Sequence, residues 1–281
     1  MKGLYQVTSR KASWNLHVFL LAFYFLGGCA WFQSTPEVPL RQATAEQLTG
    51  MLEEREGTIR TMKGLFRAQV AGKGIPIAQR MEIAMFYRRP ESLRLQGFSQ
   101  VGSKLFEFSR RQEHYRLELP SEGRRYAGSI EDLKQAKIGR LLQLSQWAVS
   151  GVVGNDMAPS GLRTVLAEDG DRYRLDVFQA EGRLLRRLWF ERRSLYMVQE
   201  DRMLENGEVE ASMTFEDFRS IPRAPADAGA ATVMPFRVTV TDHVVSGSVA
   251  LTFHEIVLNP ALKPEELARQ GARGADETAG G

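Results

Sequence analysis

The sequence predicts a mainly β, α+β domain built around one large antiparallel sheet. Three observations predict it. Apolar and polar residues alternate with period two along many short stretches, as on strands that bury one face. Turn residues punctuate those stretches at short intervals, so sequential strands pair antiparallel. Only two stretches, Thr44–Gly57 and Ser129–Val153, carry a helical period. About eleven strands and two helices follow from this pattern. A sheet of that size must cover its apolar face, and two helices cover little of it. The sheet therefore either curls on itself, or curls around the helices and leaves an apolar groove.

The elements run as follows. Residues 30–43 carry Ser34, Thr35, Pro36 and Pro39 with little periodicity and read as a tether reaching ~20 Å on average. Thr44 and Gln47 fit a capping box that opens a helix, with Leu48, Met51, Leu52 and Arg55 on one face and Gly57 near its end. The period then drops to two. Met62–Val70 reads as a strand, Gly72–Pro76 as a turn and Ala78–Tyr87 as a second strand. Leu93 with Leu95, Phe106 with Phe108, and Tyr115 with Leu117 and Leu119 mark three more. Ser129–Val153 breaks the rhythm and reads as one long apolar helix. Ile138, Leu141, Leu142, Ser145 and Ala148 or Val149 lie on its stripe, and Gly151 and Gly154 close it. Strands resume with Tyr173, Leu175 and Val177, then continue through Leu184–Arg192, Ser194–Met203 and Glu208–Phe218. Ile221–Met234, rich in Pro, Ala and Gly, reads as a mobile loop. Phe236, Val238 and Val240 form one strand and Val249, Leu251 and Phe253 the next, joined through Ser246-Gly247. Residues 261–281 read as a flexible tail whose end is disordered.

Cys29 is the only cysteine, which excludes an internal disulfide and a cysteine-rich metal site. Upstream, Lys2, Arg10 and Lys11 make a positive start, and Val18–Leu26 is an apolar run well short of the ~20 residues that span a bilayer as a helix. Gly27 and Gly28 follow, completing the order of a secretory signal. Leu26-Gly27-Gly28-Cys29 resembles the lipobox of bacterial lipoproteins. The resemblance implies diacylglycerol on the Cys29 thiol, cleavage before Cys29 and acylation of the new amine. Residues 1–28 are thus expected to be a lipoprotein signal peptide, and 29–43 the lipidated N-terminus and tether. Several acyl chains anchor stably where one is marginal, at ~0.8 kcal/mol per buried methylene. The alternative is an uncleaved amphipathic anchor with an incidental cysteine. Ala30 stands where an Asp retains enterobacterial lipoproteins in the inner membrane, so the periplasmic face of the outer membrane is expected.

The net charge of +3 is too small to support a nucleic-acid partner. No nucleophile motif or phosphate loop occurs. His114, His243 and His254 are scattered over strands, and Asp242-His243 and His254-Glu255 face each other across one hairpin only in poor register for a metal. Glu53-Glu54 and Glu265-Glu266 are adjacent, so neither pair shares a helix face. The expectation is a monomer that is not an enzyme, with no catalytic residue, no metal and no cofactor beyond the covalent lipid on Cys29.

Four stretches carry a wider resemblance: the run 88–95, Arg-Arg-Pro-Glu-Ser-Leu-Arg-Leu; the segment Arg94–Phe108 with its Phe98-Ser-Gln-Val101 turn; Leu144-Ser-Gln-Trp-Ala-Val-Ser-Gly151; and Asn259-Pro260 after the last strand. With the element order over 44–260, they resemble the LolA/LolB fold, and LolB-like lipoproteins most, because the chain has its own lipobox. The resemblance implies an unclosed antiparallel barrel wrapped around helices, with a helical lid and an apolar cavity for acyl chains. With strand parity it suggests Phe86, Leu95, Phe106, Phe108, Leu141, Trp147 and Trp189 as a lipid-contacting wall, although Trp147 or Trp189 taken singly suits a filled core better. It makes the turn at Phe98 and Val101 a membrane or lipid-transfer element, or else a turn closed by Val101 packing on Phe98. Val101 stands where a bulkier Leu is expected. The partners implied are acyl chains or lipoproteins, a bacterial membrane and a periplasmic carrier. A structural lipoprotein or a sensor acting through a protein partner is the competing expectation.

Overall fold

A computed structural model describes residues 38–72, 75–90, 92–135, 139–154, 159, 161–222 and 231–267, without the side chains of 75–79, 133–135 and Leu141. The chain divides into residues 1–39, nearly all outside that description, and a folded unit from Leu40 onward.

The folded unit opens with α1 (Ala45–Thr58), started by the expected capping box. The Gln47 N–H donates to Thr44 Oγ1 at 3.3 Å, and the Thr44 N–H donates to Gln47 Oε1 at 2.9 Å. Leu48 and Leu52 face the core, while Met51 is exposed. Six strands follow: β1 (Thr61–Gly72), β2 (Ile75–Arg88), β3 (Ser92–Phe98), β4 (Lys104–Arg111), β5 (His114–Leu119) and β6 (Arg124–Ser129). Helices α2 (Ile130–Gln135) and α3 (Gly139–Val153) interrupt the sheet. It resumes as β7 (Arg163–Asp169), β8 (Arg172–Phe178), β9 (Leu184–Glu191), β10 (Met197–Met203), β11 (Val209–Ile221), β12 (Thr232–Asp242) and β13 (Gly247–Leu258), followed by α4 (Pro264–Leu267).

All the strands form one 13-stranded sheet, in the order β6-β5-β4-β3-β2-β1-β13-β12-β11-β10-β9-β8-β7. Each neighbouring pair is antiparallel, and the β1–β13 pairing joins the two halves. Strands β6 and β7 have a neighbour on one side only, so the barrel is unclosed.

The count exceeds the expected eleven by β6 and β7, the two edges. Arg124 to Ala127 of β6 are all exposed, so that strand buries no apolar face and shows no alternation. Val165 of β7 is 43% exposed for the same reason. Charge and short length are how sheet edges avoid further pairing. The single helix expected over 129–153 is two helices. A reciprocal cap starts α2: the Asp132 N–H donates to Ser129 Oγ at 3.1 Å and the Ser129 N–H to Asp132 Oδ2 at 3.0 Å.

The folded unit also reaches further at both ends than 44–260. The Arg41 N–H donates to the Arg192 carbonyl at 2.9 Å and the Ala43 N–H to Tyr173 Oη at 3.1 Å, so the end of the expected tether is docked. Beyond Pro260, Leu262 is buried and α4 lies against β2 and β3. Arg94 donates to the carbonyls of Glu265 and Glu266 at 2.9 and 3.3 Å, satisfying groups that a helix C-terminus leaves open. Strand β12 starts at Thr232, which shortens the expected loop; residues 223–230 lie outside the described ones.

One apolar cluster joins the inward residues of both half-sheets to Leu144, Ala148 and Val152 of α3. Gly151 lets α3 approach β11 closely, because a Cβ there would sit 2.7 Å from Phe215 Cε1.

Candidate functional site

Between α3 and the strands β1–β5 and β13 lies a cavity of about 280 Å³. Parity builds it. Phe66 and Ala68 on β1, Met81 and Ile83 on β2, Leu95 on β3, Phe106 and Phe108 on β4, Leu117 on β5 and Leu251 on β13 all point inward. Helix α3 supplies the remaining wall with Leu142, Ser145, Gln146 and Val149. Among the described residues, Ser145 and Gln146 are the only polar ones on that lining. Gly97 and Phe106 are cross-strand partners, and the bare Gly97 backbone receives the Phe106 ring.

Three of the expected wall residues, Leu95, Phe106 and Phe108, line this cavity. The others do not. Ile83, Met85 and Tyr87 are the buried residues of β2, which turns Phe86 to the outer face. Leu188 and Phe190 are buried on β9, which turns Trp189 outward, where its Nε1 donates to Asp201 Oδ2 at 3.2 Å. Trp147 is on α3, but it faces away from the cavity, with the guanidinium carbons of Arg140 and Arg202 5.3 and 4.9 Å from its ring centre. The Leu141 side chain and Cys29 lie outside the described residues. The wall residues absent from the expected set include Met81, Ile83, Val149 and Leu251. The helical stripe through Leu142 and Ser145 and the alternation through Leu117 and Leu251 contained the signal for several of them.

A polar cluster holds the far side of α3. Arg140 makes a two-pronged pair with Asp242, Nε to Oδ2 at 2.6 Å and Nη2 to Oδ1 at 2.9 Å, and reaches Glu210 Oε1 at 2.6 Å. Burial pushes the Asp242 carboxyl up, but bonds from Arg140 and from the N–H groups of Val244 and Val245 outweigh it and hold the group below the usual range. Glu200, 1% exposed, sits 3.0 Å from Arg202 Nε and 3.6 Å from Arg186 Nη1. At the other end of α3, Arg55 donates to the carbonyls of Gly151 and Val152 at 3.2 and 3.1 Å. Burial lowers its pKa to about 10, so it stays charged at neutral pH and complements the helix C-terminus.

His243 bonds Ser212 Oγ at 3.0 Å and His254 meets Glu82 at 3.2 Å, so the two histidines have separate partners. Among the described residues no group of three or more His, Cys, Asp or Glu is placed to hold a metal ion. The turn between β3 and β4 leaves Val101 88% exposed; it does not fold back onto Phe98.

No protein-family model and no curated protein match the chain. Solved structures do. A LolA superfamily protein from Nitrosomonas europaea superposes with a TM-score of 0.52 at 13% identity, over 81% of this chain and 99% of its own. The fold is LolA/LolB-like. A Vibrio parahaemolyticus domain assigned to outer membrane lipoprotein sorting gives a TM-score of 0.50 at 10% identity, covering 80% of this chain and 97% of that one. A DUF1329 family protein from Desulfovibrio piger gives 0.54 at 8% identity, over 79% and 95%. In this LolA/LolB-like fold the open sheet and α3 together enclose the apolar space.

Proposed function

We propose that the chain is a lipid-anchored outer-membrane protein whose cavity binds an acyl chain, and that it receives or inserts lipids or lipoproteins at that membrane. The observation that carries this reading is the cavity wall, in which Ser145 and Gln146 are the only polar members among the described residues. Such a wall offers no set of polar groups to orient a polar ligand, whereas each methylene it buries contributes ~0.8 kcal/mol. The volume, about 280 Å³, lies just below the ~300–1,000 Å³ of ligand pockets and suits one chain rather than several. No catalytic group is needed, because the work is binding and release. The lipobox at Cys29 supports the anchor, and Ala30 supports the outer membrane. The sorting assignment of the Vibrio relative supports the same role.

Solvent extraction and mass spectrometry of the purified full chain should recover non-covalent acyl lipid. Ser145→Phe fills the cavity from α3 without burying a charge. It should leave melting close to the parent's and lose most of the extractable lipid. A stable Ser145→Phe protein that carries as much lipid as the parent would rule this cavity out as the site.

A further inference from the structure

Turns normally present polar side chains to water, yet two turns of this barrel present valine. Besides Val101, the turn between β12 and β13 exposes Val244 and Val245 at 55% and 46%. Register points both turns the same way. Gly72 of β1 pairs with Gly247, which sets the β12–β13 turn beside the β1–β2 connection. Glu82, midway along β2, pairs with Phe98, so the β3–β4 turn points toward the same end but leaves the sheet about half a strand short of it. The cavity wall reaches that end through Val70, Val249 and Leu119.

Both turns are prepared for a medium poor in water. The N–H groups of Val244 and Val245 donate to Asp242 Oδ1 at 2.8 and 3.3 Å, and Arg140 balances that carboxylate. In the other turn the Ser99 N–H donates to the Ser103 carbonyl at 2.8 Å, the Gly102 N–H to the Ser99 carbonyl at 2.9 Å and the Ser103 N–H to Ser99 Oγ at 3.1 Å. Residues 243–246 and 99–103 include no Asp, Glu, Lys or Arg. Backbone donors with internal partners remove the main cost of leaving water. A polar protein partner would gain nothing from donors already used.

We infer that the β12–β13 turn is a bilayer-contact site, with Val244 and Val245 entering the lipid interface. The partner is the surface of a lipid bilayer, recognised by apolar contact rather than by charge. The inference rests on the acyl-cavity reading for its purpose: a cavity that opens at the bilayer end can exchange a chain without exposing it to water.

Val245→Cys and Glu113→Cys test it in the full chain on phosphatidylcholine vesicles. Glu113 lies in the β4–β5 turn at the opposite end, with its side chain 73% exposed. Each new thiol takes a polarity-sensitive fluorophore, the vesicles carry a nitroxide lipid, and the unsubstituted chain gives the background from Cys29. The expected result is a blue shift and several-fold stronger quenching at 245 than at 113, unchanged at high salt. Val244→Cys repeats the measurement if the 245 conjugate does not fold. No quenching at either valine, or equal quenching at both ends, overturns the inference. Extractable acyl lipid is scored on the same preparation. Its absence beside a quenched residue 245 would count against the cavity reading alone, whereas a lipid-loaded protein with residue 245 unquenched overturns the contact site alone.

Discussion

Gly97 on β3 faces Phe106 on β4, and a Cβ at Gly97 would overlap the Phe106 ring. The ring is part of the cavity wall, so its position depends on the missing side chain. Gly97→Ala should push the ring into the cavity. Overpacking of this kind costs about 1–3 kcal/mol, and each kcal/mol lowers Tm by roughly 2–4 °C in a domain of this size. Calorimetry should show that fall, and extraction should show less bound lipid. Unchanged melting and loading would mean that the ring moves aside at no cost. The same scale explains which wall residues were legible in the sequence. Leu95, Phe106 and Phe108 sit where polar neighbours mark the outer face. Phe86 sits in Ile-Ala-Met-Phe-Tyr, apolar at both parities, so alternation carries no information there. Around Trp189 the pattern misleads, because the inward positions of β9 and β10 include Arg186 and Glu200, both buried. A buried ion pair looks like surface when only the sequence is read.

Helix α3 separates the cavity from the polar cluster, and it is held at both termini: by Asp242 through Arg140 and by Arg55 at its last carbonyls. Asp242→Asn keeps an acceptor for the valine N–H groups but leaves Arg140 without its main counter-charge. Because Arg140 is partly exposed and keeps Glu210, the cost should be about 2–3 kcal/mol, below that of breaking a fully buried pair. The folded-state pKa of Asp242 is lowered, so its contribution is complete above the unfolded value of ~3.9 and is lost as pH falls through the folded value. Denaturant titrations should therefore show a gap between parent and Asp242→Asn that is constant near neutral pH and closes below about pH 4. A gap that widens in acid would contradict this assignment. At this scale, strands that bury a face were readable and the edges β6 and β7 were not, since an edge strand chosen for charge has no period to read. The break between α2 and α3 was hidden for a related reason. The apolar stripe runs through Ser129–Val153, and only the short-range Ser129–Asp132 cap marks where the first helix starts.

On the proposed function, three parts act together: an anchor at Cys29, a cavity and an end that meets the bilayer. The likeness to a LolA superfamily protein over about four-fifths of the chain concerns the fold. The proposed anchor, Cys29, lies outside the described residues and is argued from the lipobox. A single valine contributes only about 1.5 kcal/mol on burial, too little to hold a protein on a membrane but enough to bias where an acyl chain leaves it. Val101→Glu isolates that step. Val101 is 88% exposed, so the substitution should leave melting, acylation at Cys29 and cavity lipid unchanged. Delivery should suffer, because a carboxylate at the turn must be desolvated to touch the bilayer. Loading the protein with a fluorescent acyl lipid and following its transfer to acceptor vesicles should give a slower rate for Val101→Glu at equal loading. Equal rates with an intact fold would remove the turn from delivery and leave the cavity and its anchor as the working parts.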